Sequence, residues 1–352
     1  MPAHSIDLQP APRSLLAKRK LTQQQTTRIR NSQRESAARV GTATKKPVSE
    51  DDLGAEQPGL IISHFGRQVD VEALEGENAG TLFRCHLRTN MEALVTGDRV
   101  VWRPGTNGVG VVIASQPRHS LLARPDSHLH QPKPVAANID QIIVVIAPEP
   151  EPFANLIDRY LIAAEATDIP PLLLLNKCDL LDAKPNPAIE ALVEQYRAIG
   201  YPVLRASTTT AHGLDEIRGQ LRDRISVFVG QSGVGKSSLI GALIPGLDIR
   251  VGALSEGTAK GRHTTTTARL FHLPEGGDLV DSPGIREFGL EHLQRDQIEQ
   301  GFIEFQPWLG HCKFRDCRHT HEPGCALKQA VADGHISAAR FSSFFAIVNH
   351  TE

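Results

Sequence analysis

Apolar and polar positions alternate in three different ways along the chain. Between Gly59 and Arg124, short apolar runs recur at residues 60–62, 81–87, 99–102 and 110–113. Turn formers separate them, as at Thr96-Gly97-Asp98 and Gly105-Thr106-Asn107-Gly108. Several short strands with close turn signals predict a small all-β barrel, and an OB-type barrel fits the size. Pro125, Pro132 and Pro134 then mark a linker. From Ala136 to about Leu290, buried-strand runs at 141–146, 171–175, 202–204 and 225–229 alternate with helical stretches. The first of these helices covers residues 155–166, with Leu156, Tyr160 and Leu161 on one face. Such alternation predicts a mostly parallel sheet covered on both faces. Beyond Glu291 the pattern is mainly helical. Phe341, Phe344, Phe345 and Val348 fall at i, i+3, i+4 and i+7, one face of a final helix.

Residues before Gly59 have only scattered apolar positions and cannot offset their ordering entropy by burial. The expected organisation is therefore a disordered basic tail over 1–57 and an OB-type domain over 58–126. An α/β domain over 135–290 and a helical domain over 291–352 follow.

Composition narrows the function classes. The 352 residues are 40% hydrophobic, enough for sizeable cores. The longest strongly apolar runs, 142–147 and 172–175, fall far short of the roughly 18 residues a membrane span needs. The first thirty residues have no apolar core of a secretory signal. Five cysteines are too few for a disulfide scaffold. A cytoplasmic, reducing setting without a membrane partner is expected. The net charge of −2 hides a split: residues 1–50 hold ten basic and three acidic side chains, a charge of +7, against −9 for the remainder. The arm is either a solubilising tail or a contact for an acidic polymer such as nucleic acid.

The strongest chemical signal is Gly230-Gln231-Ser232-Gly233-Val234-Gly235-Lys236-Ser237, which matches GxxxxGK[ST] between an apolar strand and an apolar helical stretch. Its glycines let backbone N–H groups and a helix N-terminus face phosphate oxygens. Lys236 is expected to neutralise the β- and γ-phosphates, and the Ser237 hydroxyl to ligate Mg²⁺. Asn176-Lys177-Cys178-Asp179 follows the strand at 171–175, at the end where open α/β sheets bind ligands. A carboxylate accepts from both guanine N1–H and the 2-amino group, so Asp179 selects guanine over adenine. Asn176 reaches the purine's other edge, and the Lys177 stem covers its face. Ala206-Ser207-Thr208 supplies a second loop beside the base.

Asp281-Ser282-Pro283-Gly284 resembles the DxxG element that senses the γ-phosphate, with Asp281 near Mg²⁺ and the Gly284 N–H available. The run Lys260-Gly261-Arg262-His263-Thr264-Thr265-Thr266-Thr267 suits a mobile switch. Thr265 or Thr266 would bind Mg²⁺, and the residues do not choose between them. The order is unusual. Ordinary GTPases run P-loop, switch threonine, DxxG, NKxD, whereas here NKCD and Ser207 precede the P-loop. This is a circular permutation, and it joins the DxxG element directly to the C-terminal domain. Ile285 stands where many GTPases carry a water-orienting glutamine, so slow intrinsic hydrolysis is expected, with His263 the candidate to complete the site.

Cys312, Cys317, His319 and Cys325 give C-x4-C-x-H-x5-C, four soft or borderline ligands for one closed tetrahedral Zn²⁺ site. His311 and His321 compete for a place in it. Lys313, Arg315 and Arg318 make the loop basic, as suits a phosphate backbone. Cys85 and Cys178 read as small packing residues.

Together the GQSGVGKSS, GRHTTT, DSPGIREFGL and CKFRDCRHTHEPGC segments resemble the bacterial small-ribosomal-subunit-dependent GTPase family, RsgA, over residues 58–350. The resemblance implies an OB-fold, a permuted GTPase domain and a zinc domain. It implies GTP hydrolysis stimulated by the small ribosomal subunit and a role late in that subunit's maturation, in contact with its 16S-type rRNA. It extends the nucleotide contacts to Ser238. It also implies that His263 is catalytic, that Cys312, Cys317, His319 and Cys325 are the zinc ligands, and that the chain acts as a monomer. Two rivals remain: a GTPase acting on a protein target without RNA, and a nucleic-acid-binding module whose nucleotide site is only structural.

Overall fold

A computed structural model describes residues 53–88, 91–106, 108–125, 132–210, 212–247, 268–281, 290 and 293–351. The expected disordered arm lies outside them up to residue 52, as do His263, Thr265, Thr266 and Gly284.

Five strands, β1 (Gln57–Phe65), β2 (Gln68–Ala73), β3 (Leu82–Leu87), β4 (Arg99–Arg103) and β5 (Val109–Ser115), close into a barrel in the order β1-β2-β3-β5-β4, with β4 returning to β1. Alternate residues of β2, β4 and β5 point inward, where Val69, Val71, Val100, Trp102 and Val112 form a core around the buried Cys85 thiol. Strand β2 had no prediction from the apolar pattern. Its inward positions alternate with Gln68, Asp70 and Glu72, so no continuous apolar run marks it.

The prolines expected to form a linker lie instead on a two-stranded ribbon of β6 (Leu121–Pro125) and β7 (Pro132–Ala137). Pro125 faces Pro132 and Pro134 faces Ala123. The second edge of β7 is met at Ala136 and Ala137, by Thr96, and not at Pro132 or Pro134, so a missing N–H costs little at the prolines.

The second sheet region holds β8 (Gln141–Ile146), β9 (Pro171–Leu175), β10 (Val203–Arg205), β11 (Ile225–Val229), β12 (Arg269–His272) and β13 (Asp278–Asp281). The order β10-β9-β8-β11-β13 is parallel, and β12 joins antiparallel to β13. Strands β8, β9 and β11 are buried along their whole length, as expected of strands covered on both faces. Ile142, Val144 and Ile146 pack against helices α1 (Ala154–Glu165) and α3 (Pro187–Ile199), the short α2 (Asp179–Ala183) lying between them in sequence. Ile143 and Val145 face α4 (Leu214–Leu221) and α5 (Lys236–Leu243) on the other side. Strand β1 of the barrel pairs with β12, Ser63 opposite Arg269, so barrel and α/β region share one eleven-stranded sheet.

The C-terminal region contains α6 (Arg295–Gly301), a 3₁₀ turn (Ile303–Trp308), α7 (Ala326–Ala332) and α8 (Ala338–Thr351). Phe302, Phe305, Phe344 and Val348 pack there with Ile162 and Ala163 of α1. The Arg340 guanidinium is buried in this seam. It donates to Asp158 Oδ1 of α1 at 2.5 Å and to both oxygens of Glu304 at 2.6 and 3.0 Å. Tyr196 of α3 donates its hydroxyl to the same Asp158 oxygen at 2.5 Å. A buried pair of this kind adds little net stability when intact, but a partner left unpaired is costly. Arg340→Ala should therefore cost about 3–5 kcal/mol, read as a lower urea midpoint from Trp308 fluorescence.

His272 of β12 sits between two carboxylates. Its Nδ1 lies 2.6 Å from Asp278 of β13 and its Nε2 lies 2.7 Å from Glu72 of β2. Hydrogen bonding to Asp278, opposed by burial and reinforced by the charges of Asp278 and Glu72, pushes its pKa from 6.5 up to about 9. A raised imidazole pKa stabilises fully below about pH 6.5 and loses that contribution as pH rises towards 9. The stability gap between the parent chain and His272→Gln should be open at pH 6 and closed near pH 10, measured by urea titration across roughly that window.

Candidate nucleotide site and metal cluster

The guanine-type and phosphate-type motifs converge at the C-terminal ends of adjacent parallel strands. Asn176 follows β9, Ala206 follows β10, Gly230 follows β11, and Asp281 ends β13. Although NKCD lies before the P-loop in sequence, β8 alone separates β9 from β11 in the sheet. The permuted order therefore still assembles one site.

The P-loop conformation requires its glycines. Gly230 has φ 137° and a Cβ there would meet the Val145 carbonyl oxygen at 2.2 Å. Gly235 has φ 94° and a Cβ would meet Asn176 Nδ2 at 2.4 Å. That approach lets the Asn176 amide donate to Val234 O at 2.8 Å, joining the two motifs directly. The Lys177 ammonium spans the same gap, donating to Glu149 O at 2.7 Å and Gly233 O at 2.8 Å. Lys236 opens α5, and its ammonium donates to Gly230 O and Gln231 O at 2.6 and 2.7 Å. The charge thus lies over the loop that would cradle phosphates. Ser232 and Ser238 are exposed, whereas Gln231 and Ser237 are half-buried.

On the base side, Cys178 is buried and its N–H donates to Ala206 O at 3.0 Å, which ties the two base loops together. Ser207 Oγ accepts from the N–H groups of Thr209 and Thr210 at 3.1 and 3.2 Å. Among the described residues, Asn176 Oδ1 and Asp179 Oδ1 are buried acceptors without a partner. Such orphaned oxygens are costly unless a donor meets them. A purine edge bearing N–H groups is a matching donor set. The Asp281 carboxylate is half-buried at the end of β13, across the sheet from β12.

The second cluster lies in the C-terminal region. The ligand atoms of Cys312, Cys317, His319 and Cys325 all lie within 4.8 Å of one another. His319 Nδ1 is 3.6 Å from Cys312 Sγ and 3.3 Å from Cys325 Sγ, and those two sulfurs are 4.0 Å apart. Tetrahedral bonds of about 2.3 Å to sulfur and 2.0 Å to nitrogen give edges close to these lengths. The donor set thus fits a divalent metal ion. Neither His311 nor His321 belongs to it. The sequence did not reveal Glu299, whose Oε1 lies 3.5 Å from His319 Nε2 and accepts from Arg295 Nε at 3.1 Å. A carboxylate behind a metal-binding imidazole fixes which ring nitrogen faces the metal. N–H groups of Ala326 and Lys328 point at the sulfurs of Cys312 and Cys325, at 3.4 and 3.5 Å. Glu322 accepts from the backbone N–H groups of Arg318, Thr320 and His321, which hold the loop between the ligands and draw its carboxyl pKa down to about 2.

An RsgA GTPase family model matches residues 115–291. The chain is 59% identical to the small ribosomal subunit biogenesis GTPase RsgA of Ectopseudomonas mendocina (strain ymp), over 94% of this chain and 96% of the relative. The protein of that name from Azotobacter vinelandii is 58% identical over the same shares. Among solved structures, YjeQ from Thermotoga maritima superposes with a TM-score of 0.70 at 32% identity, covering 84% of this chain and 99% of that one. YloQ, described as a circularly permuted GTPase, gives 0.66 at 29% identity, covering 84% and 95%.

Elemental analysis of the freshly purified chain should find one firmly held divalent metal per molecule, and His319→Ala should release it. A metal-free parent chain would contradict the cluster's role.

Proposed function

The chain belongs to the RsgA GTPase family, and from that premise we propose that it is a GTP hydrolase of small ribosomal subunit biogenesis, acting late in maturation and stimulated by the subunit. The observation that carries this reading is the junction of base loop and P-loop. Asn176 donates to Val234 O, while Asn176 and Asp179 present buried, unpartnered oxygens beside it.

In this reading Asp179 accepts from guanine N1–H and the 2-amino group, and Asn176 and Lys177 position the ring. The P-loop N–H groups from Gly230 to Ser238 surround the phosphates. Lys236 leaves its carbonyl partners for the β- and γ-phosphate oxygens. Mg²⁺ would be held by Ser237 and by Thr265 or Thr266, with Asp281 nearby, and would neutralise charge on the leaving β-phosphate. Water attacks the γ-phosphorus in line, the β–γ bridge bond breaks, and GDP and phosphate leave. His263 orients that water in place of the missing glutamine, and Gly284 offers its N–H to the γ-phosphate.

The metal is Zn²⁺, held by Cys312, Cys317, His319 and Cys325 as a structural ion. The barrel and the basic zinc loop contact 16S-type rRNA, with the arm before Gly59 adding counter-charge. The protein works as a cytoplasmic monomer. Among the described residues no helix is long and apolar enough to cross a membrane.

GTP turnover measured with and without purified small subunits tests the proposal. The parent chain should be strongly stimulated. Lys236→Ala should be inactive in both conditions, and His263→Ala should lose most of the stimulation. Unstimulated turnover in the parent chain would favour a protein-directed GTPase. Cellular function surviving Lys236→Ala would favour a structural nucleotide site.

A further inference from the structure

The turn Val95-Thr96-Gly97-Asp98 belongs to the barrel, yet it is wedged where barrel, ribbon and nucleotide-binding sheet meet. Every side of it is held. Ile61 N–H donates to Asp98 O at 2.9 Å, and Gly97 N–H donates to Ile61 O at 2.8 Å. Ala137 N–H donates to Thr96 O at 2.9 Å, and Asn138 Nδ2 donates to Gly97 O at 2.9 Å. The fully buried Asp98 carboxylate accepts from Val95 N–H and from Arg118 Nε and Nη2, each at 2.7 Å. Gly97 approaches Ala137 so closely that a Cβ would lie 2.2 Å from its carbonyl oxygen.

The one side-chain hydroxyl on this rigid turn crosses to the other domain. Thr96 is 1% exposed, and its Oγ1 donates to Ala268 O at 2.9 Å. Ala268 directly follows the threonine run in sequence and directly precedes β12. The next residue, Arg269, is the register partner of both Ser63 in the barrel and Asp281, the acid of the DSPG element. This hydroxyl therefore fixes the carbonyl one residue from the position paired to Asp281.

We propose that Thr96 is a positioning residue for the GTPase reaction: a barrel side chain that holds the start of β12 and, through the Arg269–Asp281 pair, sets the Asp281 carboxylate for its Mg²⁺-side role. The hydroxyl touches neither nucleotide nor metal and acts only through the Ala268 carbonyl. The proposal rests on the reading of Asp281 as a Mg²⁺-side group. It predicts that GDP affinity, which the P-loop and base loops supply, is insensitive to Thr96. Mg²⁺-dependent binding of a GTP analogue and the turnover rate are sensitive.

The test uses the full-length chain without ribosomes. Thr96→Val keeps the shape and removes the donor; Thr96→Ser keeps the donor. For Thr96→Val, the Mg²⁺ concentration giving half-maximal binding of a non-hydrolysable GTP analogue should rise about fivefold, the scale of one lost neutral hydrogen bond. Its intrinsic kcat should fall by a similar factor. GDP affinity should stay unchanged, and Thr96→Ser should match the parent chain. Unchanged Mg²⁺ demand in Thr96→Val overturns the proposal, since Ser63–Arg269 pairing would then suffice. So does an equal loss in Thr96→Ser, or a parallel loss of GDP affinity. Should Thr96→Val fail to fold, Thr96→Ala, which admits a water to Ala268 O, takes the same measurement with the same outcomes. Analogue binding needs no small subunit, so failure of subunit stimulation leaves this result readable and is counted against the proposed function alone.

Discussion

The arrangement depends on the two hydrogen-bonding edges of one short strand. Strand β12 pairs with β13 along Arg269–His272 and meets barrel strand β1 at Ser63. A paired strand cannot slide without breaking a ladder, because register is fixed at every second residue. The barrel is thus attached to the part of the sheet that ends in Asp281. Glu72 and Asp278 grip His272 from the two sides, and Thr96 holds the Ala268 carbonyl just before the strand begins. Asp281 therefore ends a strand whose neighbour is shared with the barrel.

The C-terminal region is anchored differently, through α1. Near that helix's start, Pro152, Phe153 and Leu156 line an apolar cavity together with Gly230, Gln231 and Val234 of the P-loop. One turn further on, Asp158 receives Arg340 and Tyr196, and Ile162 packs against the Phe302–Phe344 cluster. One helix therefore lines a cavity with the phosphate loop at one end and carries the region of the Cys/His cluster along its length. Tight packing of this kind passes small displacements on as discrete shifts. Circular permutation adds a covalent route, since the DSPG element leads straight into the C-terminal region.

Sequence patterns made much of this legible. Largely apolar runs of parallel strands placed β8, β9 and β11 at their observed bounds, and motif spacing brought Asn176, Asp179 and Lys236 to one end of the sheet. The Cys/His spacing singled out the four residues that cluster, Cys312, Cys317, His319 and Cys325. What stayed hidden was local sequence shaped by distant contacts. Strand β12, Arg269-Leu270-Phe271-His272, is too short and too mixed to register as periodic, and it exists because β13 and β1 flank it. The prolines read as a linker sit in a ribbon whose second edge is met, on β7, at Ala136 and Ala137 by Thr96 rather than at the prolines. Glu299 and Thr96 matter through partners far away in sequence. Arg340 left one faint signal: a charge four residues before Phe344 and seven before Ile347, on the buried face of a helix.

The shared sheet makes one thermodynamic demand. If the nucleotide site and the surfaces gripping the subunit are coupled, nucleotide state must change affinity for the subunit, by linkage. The direct measurement is equilibrium binding of the full-length chain to purified small subunits at fixed salt, with GDP or with a non-hydrolysable GTP analogue. Binding about tenfold or more tighter with the analogue is the predicted result, a coupling of roughly 1.4 kcal/mol. Equal affinity in the two nucleotide states would contradict the coupling outright.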